Sequence, residues 1–476
     1  MKDLLSKFEE YIVGKWKVEL NHLDKPMDEN LFLSDNEDRV LLNFDPKISE
    51  AAYEIRYLKQ MKKENLLPDE IQKFDAKLKN LLLVQSLLAC SVRWYNDLNQ
   101  SLVEYERELI CKQWNEIDLL LKQGQPKTWI SDDLLDYAEE LYDLIKSVNE
   151  TVVKTKVNVT EVENLIKTWN EIPIYVRETP SSLMDFTNLK TPEYEKQIEN
   201  VTIAAEKMNE VLKENLELFK SNPNSVEWKS YTSYLESIIE EGLTDTIRCS
   251  LQYILKNTDP QNKKIGSFYK VFMHLKEDII FSPSLKDQEE GSLFNVFESV
   301  LEQIYSIANA IKCLNKTGST YYDIIDQNEE LASLKLSIMK NISSGANKAL
   351  VEAEKFKKYS DLWLKDINEV LEDFVLHGPI TDTEMEDEDE FIEETVFELK
   401  PPTEEEFRTE IIQFDQLYKK LDDIPPVIEV ESWLLLDATS FKESLLNLIR
   451  IWSSSYKKKL TELKSLGKLR KIEDDG

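Results

Sequence analysis

The strongest pattern in the chain runs from Leu134 through Ala138, Leu141, Ile145, Val148, Val152, Thr155, Val159, Val162 and Ile166 to Trp169, in alternating steps of four and three. Only Thr155 is polar among these positions. Such a seam predicts one helix about 55 Å long at ~1.5 Å per residue, which must bury its stripe lengthwise against neighbours. The flanking positions show no regular charge pairing, so the seam is assigned to an intramolecular bundle rather than an intermolecular coiled coil. Pro173 stops it.

Weaker patterns fill in the remainder. Lys2 to Leu20 reads as a weak helix and Val40 to Asp45 as a short extended segment, and Pro46 opens a helix through Lys63. From Asp69 to about Asn99, Ile71, Phe74, Leu78, Leu81, Leu82, Leu88 and Val92 recur at helical steps; a third helix reaches Lys122 and ends near Gly124 and Pro126. Further helices are expected at Pro192 to Lys220 and Val226 to Lys256, each closed by a proline-containing turn. The period then changes. Tyr269, Val271, Met273 and Leu275 alternate, and Glu277-Asp278 precedes Ile279 to Phe281, so a small β-hairpin is expected near residues 268–282.

Helices resume at Leu293 to Leu314 and over a long run whose inner face includes Leu331, Leu334, Ile338, Ile342, Ala349, Ala353, Phe356, Trp363, Ile367, Val370 and Phe374, ending at Gly378-Pro379. A helix at Thr403 to Leu421 carries Thr403 and Glu406 in capping-box spacing. Val427 to Asp437 reads as extended, and Phe441 to Leu463 as an amphipathic helix with Leu445, Leu448, Ile449 and Trp452 inside. Trp94, Trp114, Trp169, Trp228, Trp363, Trp433 and Trp452 fall at helical or strand-core positions and are assigned to the core over interface anchoring. The expected fold is mainly α, an elongated stack of long antiparallel helical bundles with one small hairpin. It divides into an N-terminal extension (1–40), a first bundle (41–131), a long-helix bundle (132–260), a hairpin with a helical bundle (261–380), an acidic linker (381–402) and a C-terminal helical segment (403–476).

Composition supports long helices. Of 476 residues 41% are hydrophobic, which exceeds what a disordered chain carries, and only 10 are glycine, too few for turn-rich β architecture or glycine-lined phosphate loops. The net charge of −32 repels phosphate backbones and anionic lipid, so neither nucleic acid nor membrane is an expected partner. Cys90, Cys111, Cys249 and Cys313 have no metal-ligand, redox-motif or disulfide-framework spacing, which fits a reducing compartment. Residues Met1 to Glu10 resemble neither a signal peptide nor a transit helix, and the richest apolar stretch, Leu81 to Val92, falls short of the ~18 residues that span a bilayer.

Candidate chemistry is sparse. No GxxxxGK[ST] or GxSxG occurs, and Gly467-Lys468 lacks the rest of a phosphate loop. His22, His274 and His377 are too far apart for a helical metal pair, and Glu139-Glu140, Glu240-Glu241 and Asp422-Asp423 read as solvated faces. No catalytic, cofactor or metal site is expected. Asn149, Asn158 and Asn200 match the glycosylation acceptor pattern but lack an export signal. Thr383 to Glu394, with eight carboxylates in twelve positions and no base, reads as a disordered acidic loop. The basic tail, Lys457 to Lys459 with Lys464, Lys468, Arg470 and Lys471, suits either an anionic partner such as tubulin or lipid, or favourable charge near a helix C-terminus; the second is preferred.

Particular strings go further. Asn43-Phe44-Asp45-Pro46 with Ile55-Arg56-Tyr57-Leu58, Val92-Arg93-Trp94-Tyr95-Asn96, Trp169-Asn170-Glu171-Ile172-Pro173, and Glu214 to Phe219 with Trp228-Lys229-Ser230-Tyr231 resemble successive landmarks of the dynein heavy chain tail. Ile280 to Leu285, Tyr359 to Leu364 and Trp433 to Ala438 continue them in family order, with a flavour closer to axonemal heavy chains. The resemblance implies a non-catalytic tail segment of a longer microtubule motor, whose ATPase ring and stalk would follow downstream. It implies intermediate chains with WD repeats, light chains and other heavy chains as partners, only indirect microtubule contact, and residence in the cytoskeleton of the cytoplasm or of a cilium or flagellum. The competing class is an independent helical-rod scaffold such as a vesicle tether.

Overall fold

All eleven seam positions from Leu134 to Trp169 are buried in the computed structural model, which describes residues 2–21, 28–35, 39–60, 69–264, 266–314, 318–379 and 401–470. They lie on or just beyond a single helix, Leu134–Lys167, as the four-three spacing requires. Numbered in chain order, the described helices are α1 (Lys2–Asn21), α2 (Pro46–Gln60), α3 (Asp69–Ser101), α4 (Glu104–Leu109), α5 (Cys111–Gly124), α6 (Leu134–Lys167), α7 (Pro192–Phe219) and α8 (Val226–Asn257). They continue with α9 (Leu293–Tyr305), α10 (Tyr322–Ile325), α11 (Glu329–Glu354), α12 (Asp361–Leu364), α13 (Ile367–His377), α14 (Glu404–Asp422) and α15 (Thr439–Leu466). The strands are β1 (Phe32–Ser34), β2 (Val40–Leu42), β3 (Tyr269–Leu275), β4 (Ile279–Ser282), β5 (Val427–Glu431) and β6 (Leu434–Asp437). The fold is mainly α.

The chain forms two units. The first comprises Met1–Lys167, Ile203–Ile239 and Cys313–Gly318. In it α3 packs along α6, presenting Leu78, Leu81, Val84, Leu88, Val92 and Leu98 as its buried positions. The short antiparallel pair β1–β2 (Phe32↔Leu42) lies on α3, where the Asn96 amide donates to Val40 O (2.7 Å) and accepts from Val40 N (3.2 Å). One side chain thereby satisfies both polar groups of a strand residue.

The second unit comprises Thr168–Thr202, Glu240–Lys312 and Ser319–Gly476. Its centre is a four-stranded mixed sheet in the order β4-β3-β6-β5. The expected hairpin is present as β3–β4 (Phe272↔Ser282), and the extended stretch 427–437 is a second hairpin, β5–β6. The two join through parallel pairing of β3 with β6 (Val271↔Leu436), which local periodicity does not specify. The hairpin is therefore half of a sheet. Val271, Met273, Leu434 and Leu436 are its fully buried residues. Helix α15 lies on β3, α11 on β5, and α14 runs beside α15.

Helix boundaries hold where capping chemistry is explicit and fail where a run breaks. Thr403 N-caps α14: its hydroxyl accepts from Glu406 N (3.2 Å) while Thr403 N donates to Glu406 Oε2 (2.6 Å), as its spacing predicts. The single helix expected up to Lys122 is two, α4, capped by Glu106 turning back onto Val103 N (3.2 Å), and α5, with the backbone leaving the helical conformation between them at Ile110 (φ −100°, ψ 10°). The helix expected at Leu293 to Leu314 stops at Tyr305; a 3-10 turn follows over Ser306–Ala310, and Ile311 is extended.

The long run to Gly378 is likewise interrupted. Helix α11 ends at Glu354, a 3-10 turn covers Lys357–Tyr359, and Asp366 caps α13 through a bond from Asn368 N (2.7 Å). Beyond the break Leu362, Leu371 and Phe374 are buried, whereas Trp363, Ile367 and Val370, expected inside, are half-exposed. In α15 Leu446 rather than Leu448 completes the inner face. The acidic stretch 383–394 lies outside the described residues. No described helix is long and apolar enough to cross a membrane.

Candidate functional site

Several of the strings that set this chain apart carry side chains that join one element to another. In Asn43-Phe44-Asp45-Pro46, Asn43 N donates to Leu31 O (2.8 Å) and Asn43 O accepts from the Trp129 indole (2.7 Å). Phe44 meets the same indole edge-on at 4.8 Å, and the Asp45 carboxylate accepts from Lys47 N (2.9 Å) in the first turn of α2, where Pro46 has no amide to satisfy. In Val92 to Asn96, Asn96 holds β2 as described. Tyr95 stacks on Trp114 at 5.1 Å and donates to Asp118 (3.0 Å); burial and that carboxylate push the phenol up to about 12.

The following strings build a polar layer into the seam. Asn158, buried on α6, donates to Asn215 Oδ1 (3.0 Å) and Glu214 Oε2 (3.0 Å), and Asn215, wholly buried, donates to Tyr231 Oη (3.1 Å). Phe219 and Trp228 flank the Tyr231 ring at 5.6 and 5.5 Å. Nearby, Glu106 is buried with Lys156 Nζ 3.4 Å from its carboxylate, and burial holds that carboxyl above the usual range. Asn158 is thus an internal ligand of Asn215, with no room for a glycan. Its neighbours in sequence mark it only as an acceptor pattern.

In the second unit Trp169 O accepts from Gln197 Nε2 (3.0 Å), and Glu171 O from the Cys249 thiol (3.1 Å). Leu362 O, in the Tyr359 to Leu364 string, accepts from the Trp452 indole (3.1 Å). The Trp433 string carries the tightest joint. Glu431, 6% exposed, accepts from Trp433 Nε1 (2.8 Å) and Ser344 Oγ (2.9 Å) and pairs with Lys348 Nζ at 2.6 Å. A buried carboxylate with two neutral donors and a cation is satisfied; removing a neutral donor leaves part of it without a hydrogen bond, and removing Lys348 leaves its charge uncompensated. The sequence offered no signal for this glutamate beyond its place before Trp433.

The residues weighed for chemistry stay apart. His274 is half-exposed on β3, with its ring 6.4 Å from that of Phe272; His377 bonds Asp373 within α13 (2.9 Å); His22 lies outside the described residues. Glu139, Glu140, Asp422 and Asp423 are exposed. Among the described residues no group of three or more His, Cys, Asp or Glu side chains is placed to hold a metal ion. The basic tail meets acids of its own chain: Lys464 pairs with Glu404 (2.5 Å), Arg470 with Glu406 (3.3 Å) and Lys457 with Asp415 (3.7 Å). Lys464 and Arg408 together hold the Glu404 carboxyl below its ordinary value.

Residues 1–137 match the family described as dynein heavy chain, N-terminal region 1, which takes in the landmarks from Asn43 to Asn96. The ciliary dynein beta chain of Heliocidaris crassispina is 27% identical over 469 residues, and human dynein axonemal heavy chain 9 is 27% identical over 473 residues; each alignment covers 97% of this chain. The flagellar outer arm dynein beta chain of Chlamydomonas reinhardtii is 19% identical over 305 residues, or 62% of the chain. The chain spans about a tenth of the length of the first two relatives, 10% in each case, and it matches their N-terminal tail region and not their ATPase motor region. Over nearly its whole length the chain is similar to the tail region of axonemal dynein heavy chains.

Proposed function

We propose that this chain is a non-catalytic structural and assembly segment of an axonemal dynein heavy chain tail. It binds intermediate and light chains or neighbouring heavy chains, and so anchors a minus-end-directed microtubule motor in a cilium or flagellum. The observation that carries the reading is the seam of α6: eleven positions in heptad spacing, all buried, interrupted only by Thr155 and keyed alongside by the Asn158–Asn215 pair. A helix held along its whole length resists bending, because slipping the seam exposes apolar side chains worth about 1.5 to 3 kcal/mol each. Stiffness and side surfaces suit a segment that transmits force between attached chains. The polar groups found together are bonded into joints, not converged on a cleft, which also favours holding over transforming.

The test is co-isolation. The tagged chain is incubated with a salt extract of axonemes, and bound proteins are identified. Recovery of WD-repeat intermediate chains, light chains or heavy chains above an unrelated helical control is expected. Recovery of none of them, or ATP hydrolysis by the purified chain, overturns the reading.

A further inference from the structure

Helix α11 carries two apolar stripes. One, Leu331, Ile338, Ile342 and Ala349, is wholly buried in its unit. The other, Ala332, Leu336 and Met339 with Ser343 at its end, at steps of four, three and four, lies on the outer side, Ala332 and Leu336 exposed (Leu336 by 71%) and Met339 and Ser343 partly so. This second stripe forms one wall of a groove of about 640 Å³ whose opposite wall is α9, through Phe294 and Tyr305. Carboxylates rim it: Asp287, Glu298 and Asp326. Lys335, the one lysine among the described residues lining it, lies over the Tyr305 ring at 5.7 Å, and a second groove sharing Glu298 and Lys335 continues across α9 past Glu302.

We propose that this groove is the docking site of a basic amphipathic helix from a partner protein. The apolar wall is spaced for helix-in-groove packing, in which anchors at i, i+3, i+4 and i+7 enter between two helices. Ala332 and Ser343 are small enough to let a backbone approach, and Met339 adapts its shape to what it meets. The acidic rim selects the sign of the flanking charges, and the chain's net charge of −32 steers a basic partner in while repelling acidic helices, phosphate-bearing polymers and anionic lipid. Helix α9 has 13 residues, about 20 Å at ~1.5 Å each, so the occupant is a segment of about four turns. The proposal rests on the assembly reading above in taking the occupant to be a protein chain.

The experiment titrates the full chain into a fluorescent peptide of about four helical turns with leucines at i, i+3, i+4, i+7 and i+11 flanked by lysines. A scrambled peptide of the same composition and a glutamate-for-lysine version serve as controls. Tight binding of the lysine peptide alone is expected, weakened about tenfold or more by Leu336→Asp and by Glu298→Lys, and unchanged by Ile412→Asp on exposed α14; a tenfold loss is the size of one anchor or one close charge. Circular dichroism confirms that each variant remains helical. Equal binding of the scrambled peptide, or indifference to both groove substitutions, overturns the proposal. If the peptide fails while axonemal chains still co-isolate, the groove is wrong and the assembly reading stands; binding at the groove without co-isolation upholds the groove and removes that reading.

Discussion

Trp433 occupies the space that a side chain at Gly345 would need: a Cβ there would overlap Cζ2 of the indole and stand 3.2 Å from Leu434 Cδ2. The ring cannot retreat. It is 1% exposed, and its Nε1 is bonded to the buried Glu431 carboxylate. Alanine in mid-helix is ordinarily favoured over glycine by about 1 kcal/mol, whereas forcing a methyl into a filled core costs about 1 to 3 kcal/mol. The clash should win. Gly345→Ala is expected to lower the melting temperature, while Gly14→Ala on α1, where nothing lies within 4 Å, should leave it unchanged or raise it. Stabilisation by Gly345→Ala would show that the sheet does not press on α11 as described.

The seam makes a sharper demand. Ile145 is wholly buried and Ile166 nearly so, on one face of α6. Aspartate at either site removes an isobutyl-sized group and leaves an unpaired charge, a combined loss of about 4 kcal/mol or more. Thermal melts followed by circular dichroism should show a drop of many degrees for both variants. Val153→Asp, half-exposed on the same helix, is expected within about 0.5 kcal/mol of the parent.

The Asn158–Asn215 bond predicts coupling. Alanine at either position orphans a buried amide partner, and Asn215→Ala also strips Tyr231 of its donor. Each single substitution should cost about 1 to 3 kcal/mol, and the double substitution should cost less than their sum by about 1 kcal/mol. Urea melts of the four proteins measure this directly. Strict additivity would mean the two amides do not meet.

Glu106 gives the chain a pH signature. Burial raises its folded-state pKa above the unfolded value, so the folded form holds a proton that the unfolded form has already released. This group's contribution is therefore complete at low pH and falls as pH rises from the ordinary glutamate range through its elevated folded value. Glu106→Gln should flatten the pH dependence of melting in that window. Parallel profiles for parent and variant would rule out the buried environment assigned to this carboxylate.

Helices were the legible part of the fold, most of all α6, whose stripe is read correctly from Leu134 to Trp169. The Thr403–Glu406 capping box was legible for the same reason, since both partners lie within one turn. The breaks at Ile110 and Asp366 were harder. Apolar spacing continues across them, and only the backbone at Ile110 and the side-chain bond of Asp366 reveal that a new helix begins. The landmark strings pointed to the family, but what they do, joining one element to the next, became visible only with Asn96 on Val40, Asn215 on Tyr231 and Glu431 on Trp433 in place.

Burial demands a fixed face from each helix and strand, and that demand is written in the spacing of apolar residues along the chain. It decided the helical class, the long seam and the β3–β4 hairpin without reference to any partner. The parallel pairing of Val271 with Leu436, the fit of Gly345 under Trp433 and the second, unburied stripe of α11 were decided by the tertiary structure alone. Each depends on which distant segments meet, and residue spacing within one segment carries no information about its neighbours.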